Sequence, residues 1–212
     1  MPVGGVVGAE PIVWDRLPSM SGTTFQLEER GGLHVLRLRS TDGTNRLTRE
    51  CVLRLTDAVN LLAGEGEPIV LAGNDRFFSA GAELEEISLL DGPSAYEFSK
   101  MGQALMHAIG CFPALVYAAI SGYCMGGGLD LALACHHRIA SEHAVFGHRG
   151  AALGLITGWG GTQRLPRLLG KGRALEMFVA AEKLTGVQAL RMGLVDAIDA
   201  DPVAEAVRRL KK

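Results

Sequence analysis

The sequence predicts an α/β fold in which a parallel or mixed sheet is flanked by helices. A short, wholly apolar run at residues 68–73 (PIVLAG) and a second buried-strand pattern at 113–121 (PALVYAAIS) point to strands covered on both faces, as parallel sheets require. Segments with helical spacing lie before, between and after them, and that alternation is the signature of strands crossed over by helices. The 28 glycines form no linker or low-complexity tract but gather at junctions between apolar segments, where tight turns or close backbone approaches are needed.

The elements follow in order. Residues 1–22, with Pro2, Gly4, Gly5, Gly8, Pro11 and Pro18, read as a flexible lead-in, and residues 23–212 as a single domain. Residues 25–29 and 33–39 alternate around Gly31 and Gly32, a β-hairpin pattern. Residues 48–62 carry Val52, Leu55, Val59 and Leu62 at helical spacing, with Thr48 as cap and Gly64 as stop. After the 68–73 strand, Asp91 and Pro93 open a helix with Phe98, Met101, Leu105 and Ile109 on one face. The 113–121 strand leads to a helix over 128–134 and a strand over 135–141. The remainder reads as helical, over 159–169, 171–181, 188–192 and from 203 to the end.

Composition excludes several function classes. A formal net charge of -2 gives no electrostatic footprint for nucleic acid, and the basic end at Arg208, Arg209, Lys211 and Lys212 reads as a solvated tail at a helix C-terminus. No apolar run is long enough to span a membrane, and the first ten residues lack a basic n-region. Cys51, Cys111, Cys124 and Cys135 show no paired metal-type spacing and are expected reduced and mostly buried, with the cytoplasm as the address. His136 and His137 are adjacent on a strand and so face opposite ways, which argues against a metal site.

Chemistry concentrates at two glycine-rich junctions, residues 77–84 (FFSAGAEL) and 121–130 (SGYCMGGGLD), each directly after an apolar strand. A helix that starts there leaves its first N–H groups without intrahelical partners and with partial positive charge. Consecutive glycines let a ligand approach that backbone. Two such turns on neighbouring strands can each aim one N–H at a single oxygen, an oxyanion hole whose donors are worth about 3 kcal/mol each in a transition state. Ala82 and Gly127 are the expected donors. Glycines in a dinucleotide fingerprint would follow the first strand, and here they do not.

Taken together, FSAGAEL, ISGYCMGGGLDLALAC, RIAS, FG…LGL, GWGGTQRLPRLLG and GLVD occur in an order and spacing that resembles the crotonase (enoyl-CoA hydratase/isomerase) superfamily. The resemblance implies a spiral of ββα repeats, an acyl-CoA or acyl-carrier thioester as ligand, and a homotrimer or dimer of trimers. Coenzyme A enters as part of the substrate, and no further cofactor or metal is implied. The family's oxyanion N–H groups fall on Ala82 and Gly127, and substrate contacts fall on Ser79, Ala80, Gly81, Leu84, Gly126 and Gly150. The family's C-terminal helices extend beyond the point matched by Lys212, so a truncated C-terminal helical region is expected.

The pattern departs from the hydratases at their two glutamates. The first falls on Asp130, still a carboxylate; the second falls on Gly150, with none. The carboxylate of dienoyl-type isomerases falls on Gly158. Asp130 is therefore the expected remaining acid/base, which favours decarboxylation or single-acid proton transfer over hydration, with a non-catalytic thioester-binding subunit as the alternative. His148 is a secondary catalytic candidate, since imidazole titrates near neutral pH, beside a reading as a polar residue at the site rim. Glu83 reads as structural, Glu86 as a solvated helix residue or a group facing the acyl pocket, and Tyr117 and Tyr123 as buried packing.

Overall fold

A computed structural model describes residues 24–212, so the lead-in expected over 1–22 lies outside the described residues. The hairpin forms as β1 (Thr24–Arg30) and β2 (Leu33–Arg39), antiparallel, turning through Gly31 and Gly32 at positive φ. Strand β2 then pairs in parallel with β4 (Ile69–Ala72), which pairs with β7 (Val116–Ile120), β9 (His137–Ala140) and β12 (Ala197–Ile198) in turn. Together they make a six-stranded sheet.

This sheet is apolar on both faces for a visible reason. On β4, Ile69 and Leu71 face the main core, while Val70 and Ala72 join Val35, Tyr117, Ala119 and Ile139 on the other side. That second face is covered by α8 (Pro202–Leu210) through Val203 and Ala206. The basic end of α8 is held rather than loose, because Arg208 and Arg209 both pair with the carboxylate of Glu205.

Helix α1 (Arg49–Ala63) buries Cys51, Val52, Leu55, Ala58, Val59 and Leu62, and its N-cap Thr48 accepts a hydrogen bond from the Cys51 N–H at 3.1 Å. Each of its larger apolar side chains contributes about 1.5–3 kcal/mol by leaving water. Helix α3 (Gly92–Gly110) packs beside it, closed at its start by a reciprocal box between Asp91 and Ser94. Helices α4 (Gly127–Ala134), α5 (Gly161–Leu169), α6 (Lys171–Ala180) and α7 (Gly186–Met192) complete the helical layers, and a short α2 spans Leu84–Ser88.

A second sheet sits where the sequence suggests only turns. Its strands are β5 (Phe77–Ser79), β8 (Tyr123–Met125), β10 (Val145–Gly147) and β11 (Leu184–Thr185), with the first three parallel. A further short pair joins β3 (Arg46–Leu47) to β6 (Gly81–Ala82). Three-residue strands carry too little alternation to register as such, and their glycines read as turn residues. Each repeat thus gives one strand to the large sheet and the next to the small one before a helix follows: β4, β5 and α2–α3, then β7, β8 and α4. This is the spiral of ββα repeats that the resemblance implies.

Candidate active site

The small sheet brings the two glycine-rich turns together. Gly81 sits at φ 101° and Gly126 at φ 51°, conformations that side chains with a Cβ rarely adopt. A Cβ on Gly81 would lie 2.7 Å from the Met125 carbonyl oxygen and 3.1 Å from the Gly127 nitrogen, and one on Gly127 would lie 3.2 Å from the Ala82 nitrogen. The backbone N–H groups of Ala82 and Gly127 therefore stand side by side, and Gly127 is the first residue of α4, where N–H groups lack intrahelical partners.

Each turn is fastened from behind. In the first, Asn45 is fully buried at φ 52°, and its amide donates to the Phe77 and Phe78 carbonyls at 3.0 and 3.3 Å. Ser79 Oγ donates to the Asn45 carbonyl at 2.7 Å and accepts from the Gly81 N–H, and the Ala80 N–H bonds to the Thr44 carbonyl. In the second, the Gly126 N–H bonds to the Gly147 carbonyl of β10 at 2.9 Å. Asn45 escapes a motif-based reading, although the run DGTN holds the residue types that tolerate left-handed backbone.

Both turns line a cavity of about 320 Å³. Ala80, Gly81, Ala82, Leu84, Gly126, Gly127, Asp130, His148 and Gly150 all face it, among apolar groups that include Leu90, Phe98 and Leu155. Ser79, expected against substrate, does not: it is fully buried and its hydroxyl is used to shape the turn. Glu83 caps α2 and lies 3.7 Å from Arg46, whereas Glu86 neither faces the cavity nor stays free, because its carboxylate accepts the Arg49 N–H at 2.7 Å and ties α2 to α1. Tyr117 is buried against the His137 ring, but Tyr123 is 37% exposed, contrary to expectation, with its ring on Phe77.

Asp130 and His148 meet on the same cavity as the two N–H groups. His148 Nε2 lies 2.9 Å from Asp130 Oδ1, Thr157 Oγ1 donates to Asp130 Oδ2, and Asp130 and His148 are 1% and 4% exposed. The imidazole is thus a buried partner of the carboxylate, not a residue of the rim. Nothing in an 18-residue separation signals that contact in the sequence. Gly161 allows it, since a Cβ there would overlap Asp130 Oδ1 and reach within 3.0 Å of His148 Nε2. Gly161→Ala is expected to cost about 1–3 kcal/mol of stability by overpacking, read as a lowered urea midpoint with the slope unchanged.

The loop after β10 explains the missing second carboxylate. Gly150 opens a 3-10 turn (Gly150–Leu153), its carbonyl accepts the Leu155 N–H at 2.8 Å, and a Cβ at Gly150 would lie 2.6 Å from the Leu155 carbonyl oxygen. Nor do thiols stand in. Burial pushes Cys124 well above the usual thiol range, with Cys135 and Asp130 adding to the effect, and pushes Cys51 and Cys135 up to about 12. Cys111, by contrast, is exposed. The adjacent histidines part company, His136 Nδ1 accepting the Val116 N–H while His137 stacks on Tyr117 and pairs with Asp196.

A two-sheet ββα spiral with its glycine-rich turns converging on one apolar cavity is the architecture of the crotonase fold class. The chain belongs to the enoyl-CoA hydratase/isomerase family, whose sequence model matches residues 28–211. It is 45% identical over 144 residues to a probable enoyl-CoA hydratase of Bacillus subtilis, covering 68% of this chain and 55% of that protein. It is 35% identical over 175 residues to crotonyl-CoA hydratase of Syntrophomonas wolfei, covering 81% and 67%. Among solved structures, DspI of Pseudomonas aeruginosa superposes with a TM-score of 0.84 at 32% identity, covering 91% of this chain and 81% of that one. The match to the Bacillus protein spans little more than half of that relative's length.

Proposed function

We propose that the protein acts on an acyl-CoA or acyl-carrier thioester, holding the thioester carbonyl oxygen between the N–H groups of Ala82 and Gly127 as it becomes an enolate. The observation that carries this reading is the juxtaposition of those N–H groups with the buried Asp130–His148 pair on one apolar cavity. The mostly apolar lining suits an acyl chain and lowers the local dielectric, which strengthens the pull of both donors on a developing negative charge.

Chemistry at the α-carbon follows from the acid/base groups available. Asp130 is the carboxylate of the site, and Gly150 supplies none opposite it, so proton transfer or decarboxylation is favoured over addition of water. Loss of carbon dioxide leaves its electron pair on the α-carbon and needs little beyond an enolate stabiliser. The names of the Bacillus and Syntrophomonas relatives support the substrate class. A homotrimer or dimer of trimers in the cytoplasm belongs to the same reading. Among the described residues, no helix is long and apolar enough to cross a membrane.

The test offers purified protein crotonyl-CoA, malonyl-CoA and methylmalonyl-CoA and follows product masses. Carbon dioxide loss without hydration is the expected result. Hydration of crotonyl-CoA at rates exceeding decarboxylation overturns the preference, and tight binding with no product from any acyl-CoA points instead to a non-catalytic subunit.

A further inference from the structure

We propose that the atom exchanging a proton with the substrate is Nδ1 of His148, and that Asp130 acts through it as a positioning residue. This rests on the acyl-thioester reading and names the base within it.

Hydrogen-bond direction carries the assignment. The Trp159 N–H donates to Thr157 Oγ1 at 3.4 Å, so the threonine hydroxyl accepts there and sends its own proton to Asp130 Oδ2. Asp130 Oδ1 then accepts from His148 Nε2. With 1% exposure and each oxygen holding a hydrogen bond, this carboxylate is committed as an acceptor to the threonine and the imidazole, although it too lines the cavity. It is well placed to hold an imidazole in one tautomer, as buried carboxylates do beside catalytic histidines. A neutral ring that donates through Nε2 keeps its lone pair on Nδ1.

Nδ1 also has somewhere to act. No buried side-chain nitrogen or oxygen among the described residues lacks a partner, and the ring's hydrogen bond is made through Nε2 alone. Nδ1 is therefore the ring nitrogen left for a ligand in the cavity that His148 lines together with Ala82 and Gly127. The Phe178 ring of α6, 5.2 Å away and tilted by 60°, limits how far the imidazole can swing.

In the step itself, Nδ1 takes an α-proton from the bound thioester. The C–H bond breaks, an N–H bond forms, and the electron pair moves to the carbonyl oxygen between the two backbone N–H groups. Returning the proton to the same carbon gives exchange with solvent. Returning it to the γ-carbon of a 3-enoyl thioester moves the double bond one position, needing neither water nor an oxidant. The substrate class is thus acyl thioesters with an abstractable α-proton, 3-enoyl thioesters among them.

The charged and titratable neighbours of the ring define what a pH profile reports. Asp130 faces it from α4, Arg149 adjoins it in sequence, and Cys124 on β8 is kept neutral by burial. Arg164 on α5 acts on Asp130, and burial lowers its own pKa while the Asp130 charge opposes that shift.

The experiment measures deuterium incorporation at the α-carbon of butyryl-CoA in D₂O by mass spectrometry, beside butyryl-CoA affinity by calorimetry. The proteins compared are the wild type, His148→Gln and Asp130→Asn, across pH 5–9. Glutamine can still donate an amide N–H to Asp130 but takes no proton, so exchange is expected to fall about 10²–10⁴-fold with affinity and melting temperature retained. Asp130→Asn is expected to keep measurable exchange at a reduced rate with affinity retained, because the ring keeps its own nitrogen but loses the carboxylate that holds its tautomer. Should His148→Gln misfold, His148→Ala with added imidazole serves, and recovery of exchange is the supporting result. Wild-type exchange by His148→Gln, or binding without exchange by the wild type, overturns the assignment. Failure of the wild type to bind butyryl-CoA overturns the acyl-thioester reading beneath it.

Discussion

Gly127→Val is expected to lower turnover of any acyl-CoA substrate by about 10²–10³-fold, the loss that accompanies removal of one oxyanion donor. The β-carbon alone would lie 2.6 Å from the Trp159 ring and 3.2 Å from the Ala82 nitrogen. The branched side chain must therefore displace either the tryptophan or the turn that carries Ala82. Both outcomes separate the two N–H groups, and neither can be relieved by rotating χ1, because the obstruction begins at the β-carbon. Steady-state kinetics should show the loss mainly in kcat, since the donors tighten on an oxygen that becomes negative only during reaction. A variant with wild-type kcat would show that Gly127 does not face the reacting oxygen. Calorimetric affinity for free CoA, which lacks the thioester carbonyl, should change little.

How far the sequence foretells this site depends on the length scale of each feature. Helix α1 was legible because Val52, Leu55, Val59 and Leu62 repeat over about three turns and Thr48 supplies its cap. The large sheet was legible because its central strands are buried on both faces and so lose all polar residues. Strands β5, β8 and β10 were not, since three residues each cannot display a period. The convergence of the two glycine turns was readable because each follows a strand of one sheet, and neighbouring parallel strands put their ends on one edge. By contrast, the Asp130–His148 contact arises from α4 and the segment after β10 crossing in space, with no local pattern to announce it. Ser79 misled for a related reason. Its motif lines the cavity, but alternation within a short extended segment turns Ser79 inward while Ala80 faces out.

Trp159→Ala is expected to destabilise the protein by about 3–5 kcal/mol, the usual cost of deleting a buried large aromatic ring. The ring is 3% exposed and fills a notch that only a glycine leaves: a Cβ on Gly102 of α3 would overlap it. Its face lies 5.3 Å from Phe98, and its indole N–H donates to the Phe98 carbonyl at 3.2 Å. Truncation would therefore open a cavity between α3 and α4 and remove the indole hydrogen bond that the Phe98 carbonyl accepts beside its place in the helix. A chain of this size loses about 2–4 °C of melting temperature per kcal/mol, so a drop of roughly 6–20 °C is expected. Trp159→Phe, which keeps most of the ring volume and forfeits the N–H, should fall well short of that. The same ring backs Gly127, and the Trp159 backbone N–H bonds to Thr157 Oγ1, whose hydroxyl holds Asp130. Turnover should therefore fall in Trp159→Ala even at temperatures where the variant is fully folded. Equal specific activity per folded molecule would show that the tryptophan supports the fold without supporting the site.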